Sequence, residues 1–302
     1  MKVLARIWEP FLEERPTAAL GLFRAALALA IGLHVFPTLH PLEDVYLSGA
    51  LRELRPGIFP DGVLAVVDRA PDAAVRMIVA APALSWCGFL IGLRTQLSGA
   101  VLALACLFLF ARNSLHIGTM SFHMALQALV LLIVTPHAGD SFSWDCRRAQ
   151  GCLLSRRRGP DFIRRLLQLQ AASIYFYAGL GKLTAAEGWL SGNPIQDLLL
   201  GAAGGVAWEF PGREWLAGSP GLCRLIGVTF ALFETTLPVW LFWRRSRIAA
   251  ICAAVLFHVL VLATLKVSGL LFFLFVPQVV LLFPPPEWWE QVYDSANGHP
   301  AA

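Results

Sequence analysis

The chain has 302 residues, of which 57% are hydrophobic and 15% charged, with a mean hydropathy of +0.63. Soluble domains carry about a quarter charged residues, so a soluble globular protein is excluded and a polytopic membrane protein is implied. The net charge of +4 concentrates in two arginine-rich loops, where topology and anionic membrane lipid account for it, and no nucleic-acid partner is expected.

In chain order, Met1–Glu14 places Leu4, Ile7, Trp8 and Phe11 at helical spacing. This predicts an amphipathic helix on the membrane surface, with 1–16 as an interfacial segment. It lacks a small-residue cleavage site, so no removable signal peptide is expected. Apolar runs near the roughly 20 residues that span a bilayer then occur at Thr17–Pro37, Ala73–Leu93, Gln96–Ala111, Ile117–Pro136, Leu166–Leu183, Leu222–Trp243, Ile248–Leu265 and Ser268–Phe283. Lipid cannot satisfy backbone polar groups and the runs do not alternate as barrel strands do, so all are expected to be helices. The second and third are the weakest, because Arg76 and Pro82 interrupt one and the other is short. The fold class is therefore all-α, a polytopic membrane bundle of about eight helices. It forms one domain over 17–286, followed by a C-terminal tail, 287–302, and no internal repeat is visible.

Arginines orient the bundle. Arg147, Arg148, Arg156, Arg157, Arg158, Arg164 and Arg165 lie between the fourth and fifth spans, and Arg244, Arg245 and Arg247 between the sixth and seventh. Both loops belong in the cytoplasm. An even number of spans then puts both termini inside, and Lys182, Glu43–Gly62, Thr184–Gly221 and Lys266 outside. Six cysteines are too scattered for a disulfide framework. Cys146 and Cys152 flank the start of the arginine-rich loop with no second ligand pair nearby, so no metal is expected.

Ionisable groups within spans are site candidates because lipid makes them expensive. Arg24, His123, Glu234 and His258 lie near the middles of their spans. Pro238 leaves the carbonyl of Glu234 without its helical donor, so a kinked polar pocket is one expectation. The other is a buried Arg24–Glu234 ion pair that fixes helix packing. His258 has Ala254, Val255, Val261 and Leu262 as helical neighbours. It therefore needs a partner on another helix.

Lys182, at the rim of the fifth run, has two readings. It is an interfacial anchor, its stem along lipid and its ammonium in water. Alternatively it is a base. Gly179, Ala178, Tyr175, Ala171 and Gln168 share its helical face, which suits a cavity wall better than a lipid stripe. Burial in such a cavity would lower its pKa and free an amine for general-base work. Of the tryptophans that follow, Trp189 is placed at the cavity mouth, while Trp208 and Trp215 suit an aromatic belt.

The run "RLLQLQAASIYFYAGLGKLTAAEGWLSGNPI" resembles the central motif of the horizontally transferred transmembrane (HTTM) domain family, whose best-known members are the vitamin K-dependent gamma-carboxylases. "ARNSLHIGTMSFHMALQALVLLIVTPHAGDSFSWD", the later "LFETTLPVWLFWRRSRIAAICAAVLFHVLVLATLKVSGLLFFLFVPQVVLLFPPP" and the opening "TAALGLFRAALALAIGL" extend the likeness over Thr17–Pro286. The resemblance implies that Lys182 deprotonates reduced vitamin K or another quinol. Oxygen addition then yields an alkoxide strong enough to take the gamma proton of a glutamate, and carbon dioxide traps the carbanion. The family's late "FH" histidine maps onto His258. Tyr175, Gly179, Trp189, Glu234 and Arg24 would line the cofactor.

Two departures stand against this. Where the carboxylases carry an active-site histidine before an "SxD" loop end, this chain has Asp140, with His137 three residues earlier. Nothing after Pro286 compares with the carboxylases' large lumenal domain, so substrate recruitment is expected to differ. The topology adds a conflict. Pro136–Asp145 is cytoplasmic if the fourth span crosses, whereas the carboxylase site is outside; either the loop is remote from Lys182 or a weak early span does not cross. Three functions compete. The first is a carboxylase-like lyase acting on an exported peptide or protein or a lipid-soluble substrate. The second is a noncatalytic maturation or immunity factor. The third, a transporter, ranks last for want of inverted repeats.

Overall fold

The computed structural model describes residues 11–40, 43–47, 59–185, 188–201, 211–264 and 269–296. Each of the eight apolar runs is a helix. They are α1 (Ala18–Thr38), α3 (Asp72–Ile91), α4 (Thr95–Arg112), α5 (Met120–Val134), α7 (Phe162–Thr184), α10 (Pro220–Phe242), α11 (Arg247–Thr264) and α12 (Gly269–Leu282). Between them lie α2 (Asp61–Asp68), α6 (Trp144–Gln150), α8 (Asn193–Leu200) and α9 (Arg213–Ala217), and the last is α13 (Pro286–Ala296).

Five of these, α1, α3, α4, α10 and α11, are long and apolar enough to cross a membrane. The protein is an all-α membrane protein. Helix α5 has 15 residues and α12 has 14, short of the roughly 20 that span a bilayer. Helix α7 has the length, 23 residues, but carries Arg164, Arg165 and Lys182.

The chain divides into two compact units, Met1–Leu166 with Pro285–Ala302, and Leu167–Pro284. In the first, α3 packs most extensively on α4, and α1 packs on α3 and α5. Of the expected interfacial helix, Met1–Pro10 lies outside the described residues. Its end is a strand: Glu14–Pro16 (β1) pairs antiparallel with Arg158–Pro160 (β2), because Arg157 and Asp161 bond the chain on either side, at Thr17 and Glu13. The expected tail is the helix α13, which packs on β1.

Arg24 is fully buried in this unit. Its guanidinium donates to the carbonyls of Phe89 (2.5 Å) and Leu90 (3.2 Å), at the end of α3, and of Phe142 (2.5 Å). A cation at a helix C-terminus meets the negative end of the macrodipole and the unpaired carbonyls. The approach requires glycine at position 92, which turns left-handed at φ 69° and where a methyl would lie 2.5 Å from the guanidinium. Arg24 is therefore a helix cap, and the expected pairing with Glu234 is replaced by these carbonyls.

The loop after α5 is tied to the arginine-rich segment. Asp140 accepts from His137 Nδ1 (2.7 Å) and Arg157 (3.2 Å), and Asp145 caps α4 through the N–H groups of Arg94 and Thr95, both at 2.9 Å. His137 and Asp140 thus belong with Arg157 in the first unit. His123 packs edge-on against Phe110, 4.7 Å between centroids.

Candidate functional site

The second unit holds the site. Helix α7 presents Gln168, Ala171, Tyr175 and Gly179 as a buried stripe. This is the face that leads to Lys182, since residues four and seven apart stack on one side of a helix. The stripe is packed rather than open. Gln168 Nε2 donates to the Leu282 carbonyl at 2.6 Å, and Gln278 Nε2 to the Leu167 carbonyl at 2.9 Å, stitching α7 to α12. At Gly179 the backbone of α10 comes so close that an added methyl would collide with Thr235 and lie 2.8 Å from the Ala231 carbonyl. Small residues here serve close helix approach.

That approach brings Lys182 to Glu234. Lys182 Nζ forms an ion pair with Glu234 Oε2, and the two side chains are only 17% and 10% exposed. The lysine bends back down its own helix, its Nζ 3.5 Å from the Ala178 carbonyl. An anchor at the end of a span would extend towards water instead. The ammonium also lies over the indole of Trp189, 5.0 Å from ring centroid to nitrogen, within cation–π range. Trp189 is fixed in turn. Its ring joins an apolar cluster with Ile195, Leu199 and Cys223, and a methyl at Gly227 of α10 would collide with its carbonyl.

The second polar pair lies two turns along α7. Tyr175 and His258 are both buried, and the Tyr175 hydroxyl is 2.6 Å from His258 Nε2. The partner that His258 needs on another helix is therefore Tyr175. Phe275 stacks on the imidazole, 5.8 Å between centroids and 7° from parallel. His258 Nδ1 is buried without a hydrogen-bond partner among the described residues. Such a group costs about 1–3 kcal/mol, a cost that a hydrogen-bonding guest would remove. The two pairs share helix α7, two turns apart.

Of the residues singled out from sequence, Lys182, Glu234, Gly179, Trp189, Tyr175 and His258 come together in one unit, and Arg24 lies in the other. The Lys182–Glu234 partnership escaped sequence reasoning. A faint signal was present: Gly179 and Ala231 each lie three residues before a charge, as two helices crossing closely beneath an ion pair require. Trp208 lies outside the described residues. Trp215 is exposed.

The HTTM domain family matches residues 13–288, nearly the whole chain, and the protein belongs to that family. No curated protein and no solved structure matches it.

Proposed function

We propose that this HTTM-domain protein is a membrane enzyme in which the Lys182–Glu234 pair takes a proton from a lipid-soluble acid. The observation that carries the reading is the pair itself, bent away from water and covered by Trp189. An amine and a carboxylate sharing one proton always leave one basic site vacant. When an O–H of the substrate meets that site, its proton passes to the pair and its electron pair stays on oxygen. The positive charge left on the pair then holds the new oxyanion in a low-dielectric setting. Tyr175 and His258 extend the polar surface inward, and the unpartnered His258 Nδ1 can hydrogen-bond a second oxygen. Phe275 offers a flat apolar wall.

These features suit reduced vitamin K or another quinol, a flat ring with an oxygen at each end. Such a cosubstrate supplies an acidic O–H and reducing power towards molecular oxygen. The finer reading, carboxylation of an exported peptide with carbon dioxide, rests on the family relation to the gamma-carboxylases. So does the orientation with Lys182 outside and the arginine-rich loops in the cytoplasm.

The test is quinol-dependent oxygen uptake by the full-length protein in lipid nanodiscs. General acid–base groups contribute about 10²–10⁴ in rate, and Lys182→Arg should remove a factor of that order at normal folding, because guanidinium keeps its proton. Full uptake by that variant, or no quinol-dependent uptake by the wild type, would overturn the reading. An ion pair satisfied at both ends also suits a purely structural lock, as in a noncatalytic maturation or immunity factor. That reading expects Lys182→Arg to be silent in every assay.

A further inference from the structure

Helix α6, in the first unit, brings two thiols into contact at its C-terminal end. The helix closes at Gly151, which turns left-handed at φ 73° and donates its N–H to the Arg147 carbonyl at 2.9 Å. At such an end the residue after the glycine folds back against side chains one turn earlier. That residue is Cys152, and it meets Cys146, thiol to thiol within hydrogen-bond reach. Both are free thiols.

The main chain is pinned on either side of the contact. Ser143 caps α6 by accepting from the Cys146 N–H at 2.8 Å. Phe142 donates its N–H to the Leu153 carbonyl at 2.5 Å, and Ser155 donates its N–H to Ser141 Oγ at 3.2 Å. The thiols are therefore preorganised for an intramolecular step. Their exposure differs: Cys146 is 2% exposed, whereas Cys152 is half-buried. A reachable thiol held against a shielded one is the arrangement of an attacking and a resolving cysteine. Arg147 and Arg148, both exposed, lie between the two in the chain. Their charge draws an anionic reactant to this face.

We infer that Cys146 and Cys152 form a thiol–disulfide redox site that reacts with an anionic low-molecular-weight disulfide of the glutathione class. The Cys152 thiolate attacks one sulfur of that oxidant and displaces one glutathione thiolate, leaving a mixed disulfide. Cys146 then loses its proton to the displaced thiolate, and its sulfur attacks that of Cys152 and expels the second glutathione. Two protein thiols become a disulfide, and the oxidant becomes two thiols. The new bond closes a ring across the end of α6, in the loop whose Phe142 carbonyl holds Arg24 and whose Asp145 caps α4. Oxidation thus acts where α1, α3 and α4 are tied together.

The full-length protein in lipid nanodiscs, equilibrated with a series of ratios of oxidised to reduced glutathione, alkylated and digested with trypsin, tests this by mass spectrometry. Cleavage at Arg147 and Arg148 separates the cysteines, so an internal disulfide appears as two joined peptides. The wild type should give the joined peptides as the ratio rises, with little glutathione adduct. In Cys146→Ser the joined peptides should be lost and Cys152 should accumulate the adduct, because the resolving thiol is gone. In Cys152→Ser they should also be lost, but Cys146 should stay unmodified, because it is shielded. Cys87, Cys106, Cys223 and Cys252, on the separate helices α3, α4, α10 and α11, serve as internal controls. No joined peptides at any ratio, as much adduct on Cys152 in the wild type as in Cys146→Ser, or joining of either cysteine to the four controls to the same extent would each overturn the inference.

Discussion

Replacing Glu234 by glutamine leaves the Lys182 ammonium without a counter-charge at a position where little water can reach it. Breaking a buried pair by removing one partner costs about 3–5 kcal/mol. Because the Lys182 side chain retains 17% exposure, the lower end applies. The lysine also keeps the Trp189 face and the Ala178 carbonyl, and a cation–π contact recovers about 0.5–1 kcal/mol. The expected loss for Glu234→Gln is therefore about 2 kcal/mol, and for Lys182→Met about 3 kcal/mol, since the carboxylate has no such second partner among the described residues. The double variant Lys182→Met/Glu234→Leu removes both charges and fills the space with apolar atoms, so it should lie within about 1 kcal/mol of the wild type. Thermal or denaturant unfolding of the purified protein in one detergent measures all four corners of the cycle. Additive losses in the double variant would mean that the two groups do not interact, and would remove the basis of the proposed site.

Two glycines of α7 should respond in opposite ways. Gly179→Val collides with Thr235 and Ala231 and should cost about 1–3 kcal/mol or abolish folding, whereas Gly181, with open space around it, should gain about 0.5–1 kcal/mol as alanine; unfolding midpoints decide both. Tyr175→Phe keeps the ring contact with Phe275 at 5.8 Å but strips His258 of its partner, and the same assay should show a loss of about 1–3 kcal/mol. Burial pushes the Cys146 thiol up to about 11, with nearby Cys152 adding to the effect. The neutral thiol therefore persists through pH 8, and alkylation of Cys146 should rise about tenfold per pH unit towards that value. Trypsin cuts between the two cysteines at Arg147 and Arg148, so peptide mass spectrometry reads Cys146 separately; rapid labelling at pH 7 would refute its burial.

All eight apolar helices were legible because helix formation in lipid follows from local composition alone. The strand pair β1–β2 was not. It joins residues about 145 positions apart by backbone bonds, and Glu14–Pro16 and Arg158–Pro160 carry no alternation of apolar residues that would mark a strand. Lys182 and His258 were legible for different reasons. One ends a stripe of small residues, and the other has nothing polar within reach on its own helix. The choice between Arg24 and Lys182 as the partner of Glu234 was not legible. Opposite charges on three helices can pair in two ways, and only the close crossing at Gly179 decides. Arg24 also shows why counting buried charges misleads. Two main-chain carbonyls at the end of α3, with that of Phe142, take the bonds of the two terminal guanidinium nitrogens, and no sequence pattern marks a free helix end in space.

The identity of that partner bears directly on chemistry. Had Glu234 met Arg24, the carboxylate alone could have accepted a proton, because guanidinium holds its own at any physiological pH. A lysine and a glutamate can each hold the shared proton. Either can therefore receive the next one, and the charge on the pair changes by one when a substrate ionises beside it. Tyr175, two turns down the same helix, and His258 opposite it add two further groups that exchange protons. With a substrate oxygen bridging Glu234 and Tyr175, these four groups on three helices of one unit would carry a proton between Lys182 and His258. If that path is used, Lys182→Arg and Tyr175→Phe should separate. The first should abolish quinol-dependent oxygen uptake with little loss of stability. The second should keep the first proton transfer but slow turnover, and should shift the pH profile of uptake as His258 loses its hydrogen bond. Identical pH profiles in the wild type and Tyr175→Phe would confine the chemistry to the Lys182–Glu234 pair and leave His258 a packing residue.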